Sequence, residues 1–174
     1  CGDGGVVTTN DDELGEKIRL FRMHGAKEKY FHDYVGGNFR LDPLQAAVLC
    51  VKLPHLNSQH EGRRKNAAFY NKHIKSVQTP TEKDGNYMIY NQYTVRTSKR
   101  EQLIEILKQN NIGNAIYYPL PLHIQKCFDH LGYSTGDLPE SETAGNEVVS
   151  IPIYSELTDA HLEYVVEKVN SLNG

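Results

Sequence analysis

The stretch 35-VGGNFRLDPLQAAVL-49 changes character halfway along. Val35 to Leu41 reads as an irregular loop bent at two glycines. Asp42, Pro43 and Gln45 then carry helix-start chemistry: an aspartate N-cap, a proline in the first turn and a glutamine able to reach back as capping-box partner. The following 44-LQAAVLCVKL-53 is apolar nearly all round, which predicts a buried helix with Cys50 in the core and Pro54 kinking or ending it. Two strong hydrogen-bonding side chains, Asn38 and Arg40, are thus presented on a glycine hinge against a rigid element. Loops held by rigid neighbours are where binding groups concentrate.

Upstream, Gly2 to Gly5 form a tight turn that feeds a β-branched run, 6-VVTT-9, expected as a strand. In 10-NDDELGEKIRLFRMHG-25, Asn10 or Asp11 serves as N-cap, acids fill the first turn, and Leu14, Ile18 and Phe21 recur at helical spacing before Gly25 stops the helix. Residues 26–37 lack any period and read as loop. Downstream of Pro54 an amphipathic helix carries Leu56, Arg63, Ala67, Tyr70 and Ile74 along one stripe. From about residue 76 the chain turns polar and turn-rich. It then alternates a strand (87–97), a helix behind a Ser98–Glu101 capping box, a strand at 114–118 and the proline-stiffened 119-PLPLH-123. A helix at 140–147, a strand at 148–153 and a final helix complete the chain. The β-α-β-α-β-α order predicts a small α/β or α+β domain.

Composition excludes several classes. With 174 residues the chain can bury a real core without metals or disulfides. A net charge of −3 argues against a nucleic-acid binder, which needs a basic face. Three scattered cysteines make neither a disulfide framework nor a zinc site, and so suit a reducing cytoplasm. No apolar run approaches the ~18 residues needed to span a membrane. The chain opens directly in 1-CGDGGVVTT-9 without methionine or leader, as if cut from something longer.

Chemistry-bearing groups are sparse. "GDGG" lacks both the Gly-Lys-Ser/Thr end of a P-loop and the spacing of a dinucleotide fingerprint, and reads as a turn. The eight histidines form no metal box. His123 lies on a proline-stiffened loop with Tyr117 and Tyr118, where local packing and a binding role both remain open. Each lysine sits in a polar or helix-surface context, so no desolvated nucleophile is expected. No catalytic residue is identified.

Taken together and in order, 2-GDGGVVTTNDDELGEKIRLFRMHG-25, 35-VGGNFRLDPLQAAVLCVKLPHL-56, 90-YNQYTVR-96, 116-IYYPLPLHIQ-125 and 150-SIPIYSELTDAHLEYVV-166 resemble the DegT/DnrJ/StrS family of pyridoxal 5′-phosphate (PLP) aminotransferases acting on nucleotide-linked keto sugars. The resemblance runs from residue 2 to about residue 169. It implies the C-terminal portion of the aspartate-aminotransferase-like α/β architecture (PLP fold type I). Residues 1–75 would be the end of the large PLP domain with its connecting helices, and 76–174 the small α/β domain. The family's cofactor lysine lies in a Phe-x-Pro-x-Lys-x-Leu-Gly segment ahead of the "GDGG" turn, outside this sequence, so this chain alone is expected to be inactive.

In the family pattern Gly-x-Asn-x-Arg, the asparagine, here Asn38, reaches into the neighbouring subunit and binds the PLP phosphate. By the same resemblance Arg40 meets the anionic nucleotide sugar or locks the loop, and Tyr118 and His123 lie near the sugar-nucleotide entrance. Phe39 and Pro54 depart from what the family usually carries. Glutamate is the expected amino donor, and the family's lysine moves the protons. A cytoplasmic homodimer with shared active sites is implied, in amino-sugar and polysaccharide biosynthesis. The alternative is a non-catalytic dimerisation or regulatory module derived from the family. A chain carrying only this part should leave apolar faces open and self-associate.

Overall fold

The structure is a computed structural model that describes residues 2–173. By compactness the chain separates into one unit up to Leu56 and a second from Asn57 onward. Composition changes later, at about residue 76. The difference is one helix, α3 (Leu56–His73), which delivers Ala67 and Tyr70 to the core of the second unit.

In the first unit, α1 (Asp12–Phe21) begins where expected, with the Asp11 carboxylate accepting from the Leu14 N–H at 3.0 Å. The stretch 6–9 is not a strand: Val6 is 79% exposed and no neighbouring strand pairs with it among the described residues. A β-branched run needs a ladder partner to become a strand, and propensity alone does not supply one. Residues 26–37 hold more order than a loop. β1 (Ala26–Glu28) and β2 (Phe31–His32) pair antiparallel around Tyr30, which takes a left-handed conformation.

Next, α2 (Pro43–Lys52) is capped by Asp42, whose Oδ1 accepts from the Leu44 N–H at 2.8 Å. The expected burial of this helix is not found. Leu44 is 80% and Val51 70% exposed, and Cys50 is exposed too. An all-round apolar pattern predicts that something covers the helix, and among the described residues only Gln45 and Ala46 of it are half-buried. Pro54 lies in a 3₁₀ turn, Leu53–His55, which interrupts the helical path before α3.

The second unit holds the core. β3 (Tyr93–Arg96) and β4 (Val148–Ile151) pair antiparallel in the register Tyr93↔Ile151 to Arg96↔Val148. Gln78 bridges to Arg96 on one side and Ala115 to Ser150 on the other. The two-residue period sends Tyr93, Val95, Val149 and Ile151 into the core. There they meet Leu103 and Leu107 of α4 (Arg100–Gln109) and Leu162, Val165 and Val169 of α6 (Asp159–Asn170). The strand expected over 87–97 is confined to 93–96, and Ile89 is exposed where Tyr90 is buried. The strand expected at 114–118 is reduced to the single bridge at Ala115.

The Ser98–Glu101 capping box does not form, because α4 starts one residue too late for it. Glu101 instead accepts from Arg100, and Thr97 accepts the Lys99 N–H. α5 (Pro139–Glu147) fulfils the helix expected at 140–147, and Thr158 caps α6. No helix among the described residues is long and apolar enough to cross a membrane.

Two tyrosines tie the unit together. The Tyr70 hydroxyl donates to the Pro152 carbonyl at 3.0 Å, and the Tyr93 hydroxyl donates to Asn71 Oδ1 at 2.5 Å. Burial pushes both phenols well above the usual tyrosine range. The folded state therefore holds these protons more tightly than the unfolded chain. That contribution is complete below the unfolded value near pH ~10 and is lost as pH rises beyond it. Denaturant unfolding followed across this range should show stability declining from about pH 10, with Tyr70→Phe flattening the decline. At neutral pH the same variant should cost about 1 kcal/mol for the lost hydrogen bond. A second test concerns the first unit. Gly25 sits at φ +72°, and a Cβ there would stand 1.9 Å from the Tyr34 carbonyl oxygen. Gly25→Ala should cost at least about 1–2 kcal/mol, read as lost amide protection over residues 33–37 with α6 unaffected.

Candidate functional site

Asn38 and Arg40 are held by backbone before their side chains are considered. α1 ends at Phe21; His24 and Gly25 then take left-handed conformations, and the Gly25 N–H returns to the Leu20 carbonyl at 2.8 Å. This reversal lets residues 36–39 run beside 21–24. His24 N–H donates to the Gly37 carbonyl at 2.9 Å, Gly37 N–H to Phe21 at 2.9 Å, and Phe39 N–H to Arg22 at 3.1 Å. Met23 and Asn38 form the β-bridge of this short ladder. Gly36 permits the approach, since a Cβ there would stand 2.5 Å from the Gly25 nitrogen. Two residues beyond Arg40, Asp42 caps α2. The loop is therefore clamped at both ends.

Both side chains are exposed, and Arg40 Nε donates to Asn38 Oδ1 at 2.8 Å. That bond uses the amide's acceptor and leaves its Nδ2 without a partner among the described residues. The Arg40 terminal nitrogens are likewise unpartnered, and no salt bridge involves Arg40. The two line a hollow of 440 Å³ together with Arg22, Met23, Leu41, Asp42 and Pro43. Arg22 was not singled out from the sequence, because the last turn of an amphipathic helix reads as solvated surface. Only the return of residues 36–39 brings it beside Arg40. The hollow thus gathers two arginines and one asparagine, and its one acid, Asp42, is engaged by a backbone N–H. Such a donor set suits an anion. No lysine lines the hollow.

Tyr118 and His123 lie in the second unit and are treated differently by the fold. Tyr118 is 75% exposed and lines a 500 Å³ hollow with Tyr117, Pro119, Gln125, Ser141 and Thr94. His123 is only 7% exposed and does not line that hollow. Its Nε2 meets Glu142 Oε1 at 2.9 Å. The same carboxylate accepts from the Gly136 N–H at 2.8 Å and from Leu138 at 3.4 Å. The Gly136 backbone donor first, and His123 second, hold the Glu142 carboxyl below the ordinary carboxylate range. The pair pins the 119–125 arch to α5. Glu142 was missed in the sequence, where it reads as one more first-turn acid of a short helix.

No group of three or more histidine, cysteine or acidic side chains able to hold a metal occurs among the described residues. Lys168 is pushed upward by its hydrogen bond to Glu167, the wrong direction for a nucleophile.

A pleiotropic regulatory protein of Geobacillus stearothermophilus is 50% identical over 173 residues, covering 97% of this chain and 46% of the relative. The dTDP-3-amino-3,6-dideoxy-alpha-D-galactopyranose transaminase of Aneurinibacillus thermoaerophilus is 40% identical over 169 residues, covering 96% of this chain and 46% of the relative. The crystal structure of Streptomyces venezuelae DesV in complex with a ketimine intermediate superposes with a TM-score of 0.89 at 32% identity, covering 94% of this chain and 45% of that one. The chain therefore spans a little under half the length of the relatives it matches. The α/β architecture expected from the resemblance is the one it shares with this part of a sugar aminotransferase. With the family model matching residues 1–170, the chain belongs to the DegT/DnrJ/EryC1/StrS aminotransferase family.

Proposed function

We propose that this chain is the C-terminal part of a PLP-dependent aminotransferase that transfers an amino group, from a donor such as glutamate, to a nucleotide-linked keto sugar. In that reading residues 1–75 complete the large domain and its connecting helices, and 76–174 form the small domain. The observation that carries it is the Asn38–Arg40 mount. Asn38 and Arg40, on a loop clamped at both ends, line one hollow with Arg22, and the one carboxylate there, Asp42, is engaged by the Leu44 N–H. These residues fit the phosphate end of PLP. None of them suits its carbonyl end, which needs a lysine amine.

Bound PLP would supply the electron sink through which an amino group passes between donor and acceptor. This chain's residues bind and orient. The Asn38 Nδ2 group donates to a phosphate oxygen, and the Arg40 terminal nitrogens meet the anionic part of the nucleotide sugar. Tyr118 offers an exposed ring and hydroxyl at the rim of the second hollow. His123 holds that rim through Glu142. The exposure of Asn38 and the uncovered apolar residues of α2 support a homodimer in which each copy completes its neighbour's site.

A second reading rests on the regulatory protein at 50% identity: a member that keeps the fold and the dimer contacts but acts as a regulatory module. One experiment separates the two. In the complete protein, Asn38→Ala should weaken PLP by about 1–3 kcal/mol, the cost of one charge-assisted hydrogen bond, measured by titrating the visible band of the bound cofactor. Glutamate and a nucleotide-linked keto sugar should then be consumed in equal amounts by the unmutated protein. Unchanged affinity removes Asn38 from the cofactor site, and PLP binding without turnover favours the regulatory module.

A further inference from the structure

We propose that Arg40 is a positioning residue for Asn38, fixing which end of the amide faces outward. This rests on the phosphate reading of Asn38 given above and assigns the group that makes it work. An asparagine amide has a carbonyl that accepts and an NH₂ that donates, and the two ends are nearly identical in shape. An exposed asparagine can offer either end to a ligand, and the carbonyl end repels a phosphate. The structure contains a device that removes this ambiguity. Asn38 and Arg40 are two residues apart on an extended segment, so both side chains project to one side. Arg40 Nε donates to Asn38 Oδ1 at 2.8 Å. Reversing the amide would set its NH₂ against the Nε–H, donor against donor. The carbonyl is held inward and Nδ2 is left to the hollow.

The guanidinium can do this without being used up. Nε lies on the inner edge of its planar fork, and the two terminal nitrogens remain for an anion. A lysine does not reproduce the arrangement: its three donors radiate from one rotatable nitrogen, without the fixed fork that holds Oδ1 on one edge and faces the hollow with the other. The geometry therefore explains why this position calls for an arginine rather than any cation. It also makes the two side chains one unit, whose effects on anion binding should not add.

Two measurements test the clamp. In the chain itself, the Arg40 Nε–H resonance, assigned by its loss in Arg40→Lys, should exchange slowly with water and should speed up to the rate of a free arginine in Asn38→Ala. An exchange rate indifferent to Asn38→Ala overturns the proposal. In the complete protein, Arg40→Lys keeps the charge but should weaken PLP by roughly tenfold, as Asn38→Ala does, and the double variant should be no weaker than the worse single. Full PLP affinity in Arg40→Lys where Asn38→Ala loses it, or additive losses in the double variant, overturns the clamp. Unchanged PLP affinity in Asn38→Ala, with slow Nε–H exchange still dependent on Asn38, instead overturns the phosphate reading and leaves the clamp standing.

Discussion

The backbone hydrogen bonds between residues 36–39 and 21–24 are what the first unit depends on. That unit has almost no apolar core: Leu20 is its buried hydrophobic side chain. A segment that cannot draw order from burial must draw it from backbone pairing and from capped helix ends, and this one does both. Two left-handed residues turn the chain, two glycines allow it to return at close range, and an aspartate starts the next helix. The consequence is chemical. Arg22 comes from a different stretch of sequence than Asn38 and Arg40, and the three share one hollow only because that ladder closes.

The second unit is built on the opposite principle. Its order comes from a layer of tyrosine and aliphatic side chains between one antiparallel strand pair and three helices, with the tyrosine hydroxyls satisfied by groups inside the unit. Buried hydroxyls are expensive unless paired, so Tyr70 and Tyr93 fix the register of α3 against the strands as well as filling space. The 119–125 arch carries two prolines, and it is fastened by one carboxylate that gathers donors from His123, Gly136 and Leu138. Two candidate residues near each other in sequence thus have opposite exposure: Tyr118 outward, His123 inward.

Uncovered apolar surface on α2 belongs to the same picture. A helix apolar on every side is stable when other structure surrounds it. This chain matches less than half the length of its relatives, and the faces of α2 are open within it.

Caps, spacing and order of motifs were legible from the residues. Asp11 and Asp42 cap their helices because a short polar side chain ahead of an apolar period leaves the backbone few alternatives, and Pro54 interrupts because it lacks an N–H. The family was legible too, since several motifs in fixed order leave few other proteins they could come from. The tertiary structure decided whatever depends on a partner distant in sequence. Among the described residues the run 6–9 finds no strand to pair with, α2 leaves most of its apolar side chains exposed, and the Ser98–Glu101 box loses its register to the start of α4. Residue type placed His123 and Arg40 among the candidates. Only the fold could give His123 to Glu142 and turn the Arg40 Nε toward Asn38, because a side chain's role is set by what stands within about three ångströms of it, and sequence distance does not measure that.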